Sequence, residues 1–145
     1  ENPALLTACE WWNVFVDQQG QVRRGERKNG QWHLVVDRAG DYEFELRRWP
    51  RAAGLALTAA APAVTLADGK LALGQAIAIA QARLRIAGTE HVQRAAAEAQ
   101  HVTFRLPLPA GPATLEATFL DAGGQPLLGA YYVYVRRLPS GVTPR

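Results

Sequence analysis

The sequence is poor in the residues that most often carry chemistry. It holds one cysteine, Cys9, and three histidines, His33, His91 and His101. A lone cysteine closes no internal disulfide, so cysteine usage leaves the redox compartment open. Within Leu5-Leu6-Thr7-Ala8-Cys9 it reads as a small buried apolar residue. A nucleophile would need a histidine and an orienting acid beside it, and the local sequence supplies neither. The histidines fall on separate elements without i, i+4 spacing, and nothing shows the four-ligand spacing of structural zinc. His33 belongs to the polar side of its segment and reads as solvated. GxGxxG, the P-loop, HExxH and CxxC are all missing, so neither a metal nor a cofactor is expected. No apolar run approaches the ~20 residues that cross a bilayer as a helix. The chain opens on Glu1-Asn2-Pro3-Ala4, with no initiator methionine and no leader-like apolar stretch. It therefore reads as an excised domain or mature fragment.

What is present is globular. The chain has 145 residues, 48% of them hydrophobic and 20% charged, enough to bury one core. One domain is expected over residues 1–138, with a flexible tail over 139–145. The net charge is +3 and the pI about 9.4. The basic residues are dispersed as Arg23-Arg24, Arg27-Lys28, Arg47-Arg48 and Arg136-Arg137. A nucleic-acid binder concentrates its charge in a stripe or a recognisable module, so neither nucleic acid nor membrane is an expected partner.

The dominant period is two. Asn13 to Asp17 begins it, and Trp32, Leu34 and Val36 then share a face. Ala39-Gly40-Asp41 reads as a short turn, making this run a hairpin with the next. There Tyr42, Phe44 and Leu46 face one way, and Glu43, Glu45 and Arg47 the other. The Ala-rich middle is interrupted by Gly54, Pro62, Gly69 and Gly74, which leaves little room for a long helix. Ile77-Ala78-Ile79 and Ala82 to Ile86 read as strands, Gly88-Thr89-Glu90 as a turn, and His91 to Gln100 as a short helix or polar loop. Val102, Phe104 and Leu106 alternate with polar neighbours. Pro107 to Pro112 reads as a rigid connector. Leu115, Ala117 and Phe119 share a face, Ala122 to Gln125 makes a hairpin turn, and Tyr131, Val133 and Val135 lie opposite Tyr132, Tyr134 and Arg136. About eight short strands with turn signals between most of them carry the sandwich or barrel signature, and a parallel βαβ sheet is not expected. The strand order looks similar to galactose-binding-like jelly rolls, so an all-β, antiparallel, jelly-roll-like β-sandwich is the expectation.

Two groups could carry function. Glu43 and Glu45 share a face; a hydrolytic carboxylate pair would need a pocket, and a solvated face balanced by arginines is the plainer reading. The aromatics are the stronger signal. Rings with polar neighbours stack on sugars and fix hydroxyls or anions. Trp32 and one of Trp11 and Trp12 read as core. The segment Glu45-Leu46-Arg47-Arg48-Trp49-Pro50 gathers two arginines and a tryptophan at a strand end. By parity Arg48 falls on the core face, where a bare charge is costly. It is expected either at the rim or beside a buried carboxylate, with Trp49 turned outward. Arg47, Arg48 and Trp49, then Trp11, Trp12 and Tyr132, are the candidate ligand-binding residues; catalytic and metal-ligating residues are expected to be none.

Leu6-Thr7-Ala8-Cys9-Glu10-Trp11-Trp12-Asn13, Asn29-Gly30-Gln31-Trp32, and Ala39 to Pro50 with its GxYxFELRRWP run resemble a region of bacterial arylsulfatases. Ala82 to Ile86, Val102 to Phe104, Leu108 to Pro112, Phe119 to Ala122 and Gly129 to Leu138 fit the same resemblance. It implies a C-terminal accessory module beside a formylglycine-dependent catalytic domain, in a periplasmic or secreted enzyme. The sulfatase C/S-x-P-x-R motif is absent: Cys9 is followed by Glu10-Trp11-Trp12-Asn13. What the resemblance implies is thus a non-catalytic module that packs on the sulfatase catalytic domain of the parent chain. It would help to bind a sulfated or other glycan. A stand-alone carbohydrate-binding β-sandwich and a purely structural protein-contact domain are the alternatives.

Overall fold

The alternation of apolar and polar residues builds strands throughout the computed structural model, which describes residues 3–11, 23, 25, 28–66, 69–71 and 74–139. The strands are β1 (Ala4–Thr7), β2 (Trp32–Val36), β3 (Gly40–Arg47), β4 (Val64–Leu66), β5 (Gly69–Leu71) and β6 (Gln81–Ile86). They continue with β7 (Thr89–Arg94), β8 (Val102–Leu108), β9 (Gly111–Leu120), β10 (Pro126–Gly129) and β11 (Tyr132–Arg137). A four-stranded sheet runs β1-β11-β3-β8, and a five-stranded sheet runs β10-β9-β6-β7 with β2 also on β9. β4 and β5 form a separate ribbon. Every pairing is antiparallel. This is the expected jelly-roll-like β-sandwich.

The core is what period two predicts. Phe44 and Leu46 on β3, Val102, Phe104, Leu106 and Leu108 on β8, and Val133 on β11 are buried from one sheet. Ala82, Leu84 and Ile86 on β6 and Leu115, Ala117 and Phe119 on β9 meet them from the other. Each large side chain removed from water contributes about 1.5–3 kcal/mol. Trp11 closes one end. Its ring lies 5.8 Å from Trp32 and 6.1 Å from Tyr131, and it is pressed between the backbones of Gly30 and Gly129. A Cβ on Gly30 would fall 2.4 Å from the Trp11 ring, and one on Gly129 2.7 Å from it.

Several local expectations are corrected. β2 and β3 do not form a hairpin: β2 pairs with β9, whereas β3 pairs with β8 and β11. Asp37-Arg38-Ala39 is a corner between the two sheets, which shows the same short polar link as a hairpin. His91 lies inside β7, not in a helix or loop. Ala87 and Gly88 adopt φ of 51° and 76°, the left-handed pair of a tight hairpin turn, and the pairing of β7 with β6 overrides the alanine preference that follows. Ile77 and Ile79 are buried without being in a strand. Pro107 and Leu108 belong to β8 and Gly111 opens β9, so the proposed connector is only a turn. Cys9 is exposed, its thiol 2.8 Å from the Thr7 hydroxyl; the turn Ala8–Glu10 breaks the alternation that would have buried it. Asn13 to Asp17 and residues 140–145 lie outside the described residues.

Candidate functional site

The strand that leads into ELRRWP points Phe44 and Leu46 inward and Glu43, Glu45 and Arg47 outward. β3 ends at Arg47, and the next two side chains both turn into the protein. Arg48 is 0% exposed. Its guanidinium donates to the carbonyls of Ala59 at 3.1 Å and Arg23 at 3.2 Å, and to that of Gln75. The same guanidinium lies 4.4 Å over the Trp49 ring. The Trp49 indole N–H donates to Ala59 O at 3.2 Å. Burial pushes the Arg48 pKa down to about 10.

Arg48 therefore does not sit at the rim, and among the described residues its partners are backbone carbonyls rather than a carboxylate. Trp49 is buried rather than outward, because its own N–H finds a partner inside. Trp11 is buried as well, stacked in the core. None of these three side chains can offer a face to a ligand, and they are corrected from contact surface to interior. Trp12 lies outside the described residues.

The two remaining candidates lie together. On the outer face of the four-stranded sheet Tyr132 is directly opposite Arg47, Tyr134 opposite Glu45, and Arg136 opposite Glu43, which is in turn opposite Arg105. Glu45 accepts from Arg47 Nε at 2.6 Å and from Arg51 Nε at 2.8 Å. Glu43 accepts from Arg105 Nε at 2.8 Å and from Arg136 Nη2 at 3.4 Å. Tyr134 is covered by cations: Arg51 lies 4.1 Å and Arg47 5.7 Å from its ring centroid. The Tyr134 hydroxyl also accepts the Arg51 backbone N–H at 3.1 Å. A groove of about 340 Å³ runs over this face, bounded by Pro3, Leu5, Glu43, Arg51, Tyr134 and Arg136. Burial pushes the Tyr132 phenol up, with further contributions from Tyr134 and Cys9.

The carboxylates here are counter-ions. Burial alone would raise the Glu45 carboxyl, but hydrogen bonds and charge from Arg51 and Arg47 outweigh it and hold the group below its ordinary value. A general acid needs a raised carboxyl, and Glu45 is displaced the other way. The residues that single-strand reasoning missed as site members are Arg51, Arg105, Arg136 and Tyr134. Parity placed Tyr134 beside Tyr132. No local signal put Arg51, beyond Pro50, or Arg105, on another strand, beside them.

The outer face of the other sheet carries a second polar cluster around Glu116. Asn29 Nδ2 donates to Glu116 at 3.1 Å and to Thr118 at 3.0 Å, and Arg83 and Arg85 approach Glu116 at 3.8 and 3.7 Å. Among the described residues this cluster has no aromatic ring. Among the described residues no group of three or more His, Cys, Asp or Glu could hold a metal. No described helix is long and apolar enough to cross a membrane.

No protein-family model matches the chain, and no curated protein matches it by sequence. Among solved structures it is similar to a ruminal GH26 endo-beta-1,4-mannanase, at 10% identity and a TM-score of 0.47. That likeness covers 94% of this chain and 26% of the mannanase chain. It is also similar to CBM35 from Cellvibrio japonicus Abf62, at 12% identity and a TM-score of 0.46, over 99% of this chain and 96% of that one. Both are likenesses of architecture alone.

Proposed function

We propose that the chain is a non-catalytic carbohydrate-binding β-sandwich module whose contact face is the outer side of β1, β11, β3 and β8. The observation that supports this is the groove over Tyr134, walled by Arg51 and Arg136 and seated on a rigid sheet. At about 340 Å³ it matches the lower range of small-ligand sites. Hydrogen-bond donors in fixed forks and a few polar acceptors suit a hydroxyl-rich ligand. The apolar surface does not favour a protein partner. Among the described residues the exposed large hydrophobics are Leu5, Val35 and Val92, set singly on different strands, and single exposed apolar residues are ordinary. The sequence resemblance to the arylsulfatase extension supports a place beside a hydrolase's catalytic domain.

The test is calorimetric titration of the protein with a panel of neutral and acidic oligosaccharides. Binding that weakens when Arg51 and Arg136 are both replaced by Ala supports the reading. Silence across the whole panel at millimolar ligand removes it.

A further inference from the structure

Resting on that reading, we infer that the groove is an oxyanion site and that the glycan it takes is acidic, carrying a sulfate ester or a carboxylate on the sugar. Four arguments converge on this class.

The first is that, among the described residues, no bare ring borders the groove. Neutral sugars are commonly held by an exposed aromatic face, and this chain hides most of its own. Trp11, Trp32, Trp49 and Tyr131 are all at or below 4% exposure. The ring that borders the groove, Tyr134, already carries the Arg51 guanidinium 4.1 Å above its centroid. What the groove presents is a cation resting on an aromatic, not an aromatic.

The second is charge. Among the described residues, Arg51, Arg105, Arg136 and the buried Arg47 are set on this face against Glu43, Glu45 and, by strand parity, Asp41. Each glutamate is shared by two guanidinium groups, so the face keeps a surplus of positive charge for an incoming anion.

The third is how the arginines are held. Arg47, Arg51 and Arg105 each engage glutamate through Nε. Arg51 makes no hydrogen bond through its Nη atoms to any described residue. The bond at Nε and the contact with Tyr134 fix the plane of that guanidinium and leave its terminal fork pointing away from its anchor. A fork already oriented loses little freedom when it meets a sulfate or carboxylate.

The fourth is access. The side chains of Arg51 and Arg136 are 55% and 53% exposed, and both border the same groove. They can approach one oxyanion from two sides.

Titration of the full chain with three matched oligosaccharides separates the outcomes: one sulfated, one uronate and one neutral. The expected result is binding of an acidic oligosaccharide at least tenfold tighter than the neutral one, with affinity falling as salt is raised. Comparison of the sulfated and uronate arms tells which oxyanion is preferred. Arg51→Ala combined with Arg136→Ala should cost the acidic ligand at least tenfold and the neutral ligand clearly less. Arg105→Ala lies outside the groove and should cost clearly less. The thermal midpoint of each variant should stay near that of the parent protein, since all three side chains are exposed. Equal binding of neutral and acidic ligands overturns this inference and leaves the carbohydrate-binding reading standing. Acidic binding that Arg105→Ala weakens as much as the groove pair also overturns it, because the attraction is then diffuse. No binding by any arm removes both.

Discussion

Arg48 is the side chain that most depends on its surroundings. A charge at 0% exposure survives because three backbone carbonyls accept from it and the Trp49 face covers it. Removing the side chain strands those carbonyls and opens a cavity. Arg48→Ala should therefore cost about 3 kcal/mol or more, or roughly 10 °C in the thermal midpoint. Arg48→Lys should recover little, since one ammonium cannot span three carbonyls fixed for a planar fork. Urea unfolding checks both, and a loss under about 0.5 kcal/mol for Arg48→Ala would contradict the role. Glu45 sets a pH dependence. Its folded pKa lies below the ordinary 4.5, so its contribution is present above that value and is lost as the pH falls through the lower folded pKa. Unfolding free energy should decline as the pH drops below about 4.5, and Glu45→Gln should flatten part of that decline.

Elements show what could and could not be read from the chain alone. Period two exposed β3, β6, β8, β9 and β11 because each has one buried and one wet face, and that contrast is written into consecutive residues. Partnership between strands is not. The link from β2 to β3 looked like a hairpin because a corner and a hairpin share the same short polar connection, and only the long-range pairing of β2 with β9 decides. The site suffered similarly. Parity put Arg48 on the inner side of the sheet, yet the carbonyls it meets come from Arg23, Ala59 and Gln75, outside the strands and with no period-two signature. Arg105 joined Arg47 and Tyr132 only through sheet order, and Arg51 through the turn after Pro50 that brings it back over Tyr134. Gly30, just before β2, offers a test of packing. A methyl group there would overlap the Trp11 ring at 2.4 Å. Gly30→Ala should destabilise by about 1–3 kcal/mol and shift tryptophan emission to the red as Trp11 is pushed toward water.

At the scale of the whole molecule, one apolar interior joins both sheets. Trp11 touches both Trp32 and Tyr131. Trp32, on the five-stranded sheet, also donates through its indole N–H to the Thr7 carbonyl on β1 of the four-stranded sheet, at 2.9 Å. Neither sheet can leave without exposing the other's inner face. Tryptophan fluorescence and far-ultraviolet circular dichroism should thus report the same denaturant midpoint, as a single cooperative transition requires. Midpoints separated beyond error would mean that the sheets unfold in turn.

The carbonyls that hold Arg48 lie 11, 25 and 27 positions from it along the chain. Such a set closes only when all three segments that carry them are in place, and the prediction is that it forms after the main barrier to folding. Its loss should then be visible in the lifetime of the native state: the unfolding limb of a chevron rises for Arg48→Ala while the refolding limb stays put. The arginine is in this sense a clasp fastened last, and it sets how long the fold persists more than how fast it forms.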